Sequence, residues 1–288
     1  MLRLKPLPEE KAPEQTKHLY DAIKNALDVP SIPLFFQYIG NYPDYLNYIW
    51  EIVSPNIGTE GFERCCAQVV QMATSAVGVI YTPVEEVKVL SSEMHPSEKE
   101  QISHTVAELR TLNVKMMILT IAIRESMKGV HVSAKQLENS SRTSFTEPEA
   151  EKTIDEIVQE SLLAVASSTS SPVQSLDAKV ANMLVPIYGA NSLIISKYPA
   201  FFSLSAKELE RVMKTEAYLK TRVEMEKITH LLLMQLPSPI HISYVETAKM
   251  LFNKPHAGDL LFVIKDTFPS HFPKLVIATE MMEKMIKE

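Results

Sequence analysis

Glu100 with His104, and Glu226 with His230, each stand four residues apart. On a helix that spacing puts both side chains on one face, where they could act as metal ligands or as an acid–base pair. The two pairs do not fall at matching places along the chain. Neither His-Glu-x-x-His nor a Glu-x-x-His pair is present. They read as polar pairs on solvated faces, and no metal site is expected. Cys65 and Cys66 are adjacent and lack the Cys-x-x-Cys spacing that lets one thiol resolve the other. Cys65 falls on an apolar helical stripe, so it reads as a small hydrophobe. The seven glycines form no phosphate-binding loop, and Gly-x-Ser-x-Gly is absent.

The most distinctive local pattern is Val-Pro followed, after eleven intervening residues, by Tyr-Pro. It occurs twice, as Val29-Pro30 with Tyr42-Pro43 and as Val185-Pro186 with Tyr198-Pro199. Proline fixes φ and cannot continue a helix, so each copy reads as a turn, a short helix and a second turn. The copies differ inside. The first holds Pro33-Leu34-Phe35-Phe36, the second Tyr188-Gly189-Ala190-Asn191-Ser192. A packing element is one reading. The other is a single asymmetric site made from a symmetric scaffold, with Leu34, Tyr188 and Ser192 toward a substrate.

These residues resemble the group I 2-haloacid dehalogenases of the DehI type. The first match is Leu27-Asp28-Val29-Pro30, then Tyr42-Pro43-Asp44-Tyr45-Leu46 with Trp50. The family has a similar Val-Pro … Phe-Pro-Gly-Tyr-Leu … Trp run. The second is Asn113-Val114-Lys115 leading without a gap to Glu125-Ser126-Met127, similar to Asn-Pro-Lys … Glu-Ser-Met. The third is Tyr188-Gly189 … Tyr198-Pro199, similar to His-Gly … Trp-Pro. The resemblance implies water attack on the carbon–halogen bond of a short 2-halocarboxylate, with inversion, no covalent ester and no cofactor. It implies that Asn113 helps hold the water. The family's catalytic Asp falls on Asn191, or on Ser192 or Leu193 when counted from Gly189. No Asp or Glu occurs between Asp177 and Glu208. Directly after the first Val-Pro the family has a bulky aromatic. This chain has Ser31, which implies a pocket of different shape.

The elements that position these residues read as helices. A shift of 156 residues lays Asp21-Ala22 on Asp177-Ala178, Thr59-Glu60 on Thr215-Glu216, Phe62 on Tyr218 and Pro83 on Pro239. That register points to a duplicated unit in a pseudo-two-fold arrangement, since solenoid periods are only about 20–50 residues. The expected organisation is a first helical repeat at 1–130, a linker at 131–172 with one helix over 148–166, and a second repeat at 173–288. Apolar spacing predicts a helix over 59–81 burying Phe62, Cys65, Val69, Met72, Ala76 and Val79, ended by Pro83. Ser97 with Glu100 predicts a helix start running through Arg110, and 114–127 a separate buried helix. Ser205 with Glu208 predicts a helix running through Thr215. The stretch 273–287 closes the second repeat as 114–127 closes the first. No strand alternation appears, and the fold class is all-α.

Composition bounds the rest. Hydrophobic residues at 45% and charged residues at 22% read as a globular chain. A formal net charge of −6 with no dense Lys/Arg run excludes nucleic acid as the expected partner. No apolar stretch approaches the ~20 residues of a membrane span, and the first residues are not a secretory signal. The expected setting is a reducing cytoplasm, and the expected ligand a small carboxylate. A homodimer is one arrangement this reading allows.

Overall fold

The computed structural model describes residues 3–130, 132–133 and 197–288. Regular structure among them is helical, with one isolated antiparallel bridge between Val132 and Ile240. In chain order the helices are α1 (Glu14–Leu27), α2 (Leu34–Ile39), α3 (Pro43–Val53), α4 (Glu60–Ile80), α5 (Glu85–Glu93) and α6 (Pro96–Met127). They continue with α7 (Pro199–Met213), α8 (Glu216–Leu232), α9 (Tyr244–Leu251), α10 (Ala257–Phe262) and α11 (Phe268–Lys287). The expected linker helix over 148–166 lies outside the described residues.

Proline sets three of the helix starts. Pro43, Pro96 and Pro199 each occupy the first helical position, where a missing N–H costs nothing. Tyr42 precedes α3 at φ −130°, ψ 78°, and Tyr198 precedes α7 at φ −123°, ψ 58°. The Thr59 hydroxyl donates to Asn56 O (2.6 Å) and accepts from Phe62 N–H (3.3 Å). The Thr215 hydroxyl donates to Val212 O (2.7 Å) and accepts from Tyr218 N–H (3.2 Å). Each threonine satisfies one of the orphan N–H groups at a helix start.

The structure corrects four local expectations. The segments 97–110 and 114–127 are one 32-residue helix, because nothing in Thr111-Leu112-Asn113 breaks it. Its start lies two residues earlier than Ser97 implies. Glu98 reaches back to His95 N–H (3.1 Å), and the His95 ring accepts from Ser97 N–H (3.3 Å). Ser205 opens no helix. It lies inside α7, with its hydroxyl bonded back to Phe201 O at 2.8 Å, and α7 ends before Thr215. Val79 is 50% exposed. At 100° per residue the buried stripe passes through Ala73 and Val77 instead, and leaves Val79 on the flank.

The described chain forms two compact units. One comprises 3–67, 115–130, 132–133 and 229–272. Its core is aromatic around α2. Phe35 meets Phe268 edge-on at 5.5 Å, and Phe36 meets Trp50 at 5.9 Å. The stretch Met116–Ile123 of α6 is fully buried. Its lone hydroxyl, Thr120, bonds back to Met116 O (2.7 Å) and Met117 O (3.3 Å). The other unit comprises 68–114, 197–228 and 273–288. There the buried Glu280 accepts from Thr74 Oγ1 (2.9 Å) and Arg110 (3.3 Å), and Lys284 donates to Tyr81 O (2.7 Å). Each unit draws on chain from both expected repeats.

Gly61 opens α4 against the chain at 235–237. A Cβ there would stand 2.5 Å from Gln235 O and 3.1 Å from Pro237 Cδ. Gly61→Ala is therefore expected to destabilise by about 1–3 kcal/mol despite alanine's better helix propensity. A thermal melt beside Gly78→Ala, whose Cβ meets nothing within 4 Å, checks it.

Candidate functional site

Asn113 lies inside α6 and is 2% exposed. Its side-chain Nδ2 is buried and has no hydrogen-bond partner among the described residues. An unmet buried donor costs roughly 1–3 kcal/mol, and Asn113 Nδ2 is one of several buried polar atoms, Thr16 Oγ1 and Thr229 Oγ1 among them, without a partner among the described residues. Arg110, one turn earlier on α6, is held by Glu280. Both Glu280 oxygens are engaged, by Thr74 and Arg110, so this carboxylate is not a free base.

Two residues beyond Asn113, Lys115 donates its ammonium to Leu27 O at 3.0 Å. That carbonyl belongs to the last turn of α1. Asp28 follows in the left-handed conformation (φ 57°, ψ 59°) and its N–H returns to Lys24 O. A carboxamide-sized side chain tolerates this region better than a branched one. Val29 N–H also bonds Lys24 O, at 3.1 Å. This fixes the turn that carries Ser31 and leads to Leu34 at the start of α2. Both are half-buried. The turn, short helix and second turn expected of the first Val-Pro … Tyr-Pro element are present as 28–33, α2 and 40–42.

Ser31 and Leu34 thus share one turn-and-helix element of the first unit, and Asn113 belongs to the second. Tyr188, Asn191 and Ser192 lie outside the described residues. A concavity of about 200 Å³ is lined by Tyr42, Asp44, Tyr45, Lys254 and His256 among others, and contains none of the expected site residues. Among the described residues no three His, Cys, Asp or Glu side chains converge as metal ligands.

The Glu125-Ser126 match serves packing. Ser126 Oγ accepts from the buried Ile242 N–H at 2.7 Å. Glu125 accepts from Arg124 Nε (2.7 Å) and Lys128 Nζ (3.0 Å), with His230 Nδ1 3.8 Å from its other oxygen. Burial pushes the Glu125 carboxyl up, but the hydrogen bonds from Lys128 and Arg124 outweigh it and hold the group below the usual carboxylate range. His230 therefore faces Glu125. His104 faces Glu108 at 3.5 Å. Burial pushes the Cys65 thiol up to about 11 and the Cys66 thiol up to about 12, so neither is a thiolate near neutrality. Cys65 donates to Leu232 O at 3.1 Å.

Sequence reasoning gave Lys115 and His230 no such roles. Lys115 carried a signal, since it stood inside the Asn113-Val114-Lys115 match. The carbonyl it holds is 88 residues away, and no local pattern announces it.

Residues 30–173 match the family model described as halocarboxylic acid dehydrogenase DehI. The chain belongs to this family. An (R)-2-haloacid dehalogenase from Rhizobium sp. (strain NHG3) is 22% identical to it over 250 residues, 83% of this chain and 90% of that protein. A D-2-haloacid dehalogenase mutant in complex with D-2-CPA superposes with a TM-score of 0.72 at 16% identity, covering 99% of this chain and 97% of that one. A D-2-haloacid dehalogenase with L-LA gives 0.71 at 17%, covering 99% and 98%. The DehI chain shares the all-α fold of these structures, and its Asn113 and Ser31 lie within the matched segment.

Two expectations follow. Ser126→Ala leaves the Ile242 N–H without its acceptor and is expected to cost about 1–3 kcal/mol in chemical denaturation. Glu125, whose folded carboxyl is held low, contributes stability above the ordinary carboxylate range that is lost as pH falls through its folded value. Glu125→Gln is therefore expected to lower Tm at neutral pH and to narrow the gap from the unmodified chain as pH drops. A pH series of melts checks the sign.

Proposed function

We propose that this chain is a 2-haloacid dehalogenase-like hydrolase. Water attacks the halogen-bearing carbon of a short 2-halocarboxylate, and the halide leaves with the carbon–halogen electron pair. Asn113 carries the reading. Its buried amide N–H, without a partner among the described residues, is a donor ready to hold a water or a carboxylate oxygen. The 2-haloacid dehalogenases that resemble this chain support the substrate class. Ser31 and Leu34, set by the Lys115-anchored turn, are assigned to the substrate side, with Tyr188 and Ser192 from the second Val-Pro … Tyr-Pro element.

The proton released by the attacking water needs an acceptor. By the resemblance the family's Asp position falls on Asn191, or on Ser192 or Leu193 when counted from Gly189, and an amide orients water without taking its proton. Positioned base catalysis is worth about 10²–10⁴-fold. One observation favours a second reading. The stretch between Asp177 and Glu208 contains no carboxylate at all. A family member that has lost its base would bind a small carboxylate, or a protein partner, in the same place without turnover. The duplicated architecture belongs to this proposal too. The paired Tyr-Pro helix starts and the paired Thr59 and Thr215 caps, each 156 residues apart, support a pseudo-two-fold scaffold with a single diverged site.

The decisive assay is halide release from both enantiomers of 2-chloro- and 2-bromopropionate, run beside Asn191→Asp. Release by the unmodified chain, lost in Asn113→Ala, supports the hydrolase. Release only by Asn191→Asp, with thermal stabilisation of the unmodified chain by 2-halo or 2-hydroxy acids, supports the binding reading. No release and no stabilisation in either chain overturns both. Asn113→Leu gives a second handle. It removes an unmet buried donor, so Tm is expected to hold or rise while ligand stabilisation disappears. A fall in Tm of several degrees would assign Asn113 to packing instead.

A further inference from the structure

The turn that carries Ser31 lies between two prolines. Pro30 and Pro33 bring no N–H, so the segment cannot build a hydrogen-bonded ladder of its own. Before it, Val29 N–H reaches Lys24 O at 3.1 Å. After it, Phe36 N–H and Gln37 N–H reach Pro33 O at 2.9 and 3.2 Å. Among the described residues, Pro30, Ser31 and Ile32 enter no backbone–backbone hydrogen bond. One side chain closes this gap. Gln37 Nε2 donates to Ile32 O at 3.0 Å. Ile32 is buried, and a buried carbonyl needs such a partner.

Gln37 is itself held firmly. Helix α2 has six residues, too few to stand alone in water. Phe35 packs it on Phe268, and Phe36 packs it on Trp50. Gln37 O accepts from Leu7 N–H at 2.9 Å, and Leu7 O accepts from the Tyr20 hydroxyl at 3.0 Å. Lys115 fastens the other end of the turn at Leu27 O. Ser31 therefore sits between two side-chain clips, one at Leu27 O and one at Ile32 O. A binding turn that is ordered only part of the time weakens affinity by the fraction of time it is competent. A clip that keeps it ordered removes that loss. We infer that Gln37 is a positioning residue, whose amide N–H on Ile32 O holds the turn that presents Ser31 to a 2-halocarboxylate. The substrate part of this inference rests on the function proposed above.

Two variants of similar size test the donor. Gln37→Met has no N–H to give, and Gln37→Glu, when ionised, can only accept. Calorimetric titration with each enantiomer of 2-chloropropionate is run at a temperature where circular dichroism shows every variant folded. Both variants are expected to bind about threefold to tenfold more weakly, the worth of one hydrogen bond. Order in the turn is read separately and without ligand. Ser31→Cys serves as a probe for a thiol reagent, corrected for Cys65 and Cys66, and its labelling is expected to be several-fold faster beside Gln37→Met. Asn41→Ala is the control. It removes the bond from Asn41 Nδ2 to Lys5 O (2.9 Å) just beyond α2 and leaves Ile32 O held, so affinity and labelling are expected to be unchanged. Full affinity in Gln37→Met or Gln37→Glu, unchanged labelling, or equal losses in Asn41→Ala overturns the inference while the proposed function stands. If the unmodified chain binds neither enantiomer, the proposed function fails and the substrate role of Gln37 fails with it.

Discussion

A helix that is apolar on every side must be wrapped by other helices, and the stretch Met116–Ile123 of α6 is such a helix. Each large apolar side chain taken fully from water contributes about 1.5–3 kcal/mol. No single neighbouring face suffices for all of them. Thr120, the one polar residue in the stretch, is satisfied by carbonyls of its own helix, so it asks nothing of its surroundings. The polar anchors sit at the two ends. Lys115 holds the end of α1, and Ser126 holds the chain at Ile242. The turn carrying Ser31 is therefore fixed to the start of this buried stretch through Lys115.

That arrangement separates two kinds of polar residue on α6. Glu125, Ser126 and Thr120 have their hydrogen-bonding capacity filled by the fold. Among the described residues the Asn113 Nδ2 donor has no partner.

Helix boundaries show where local reading fails. Ser97-x-x-Glu100 and Ser205-x-x-Glu208 have the pattern of a capping box, but Pro96 and Pro199 preset the backbone upstream and the helices begin there. A serine already inside a helix then bonds back to its own preceding turn, as Ser205 does. Val79 failed for a geometric reason. A buried stripe with a 3.6-residue period moves across the helix surface, and counting threes and fours from Phe62 to Val79, about five turns, lands on its flank.

The sequence by itself determined the helical class, the proline-bounded element of α2 and α3, the inert thiols and the membership suggested by Asn113-Val114-Lys115 with Glu125-Ser126-Met127. These rest on local periodicity, on fixed φ angles and on residue chemistry, which need no partner. Only the tertiary structure decided what each polar residue is for. Lys115 bonds a carbonyl 88 residues away, Arg110 a carboxylate 170 away, and His230 faces Glu125 rather than Glu226. Side-chain pairing depends on which helices meet, and that is set by how the whole chain buries its apolar faces.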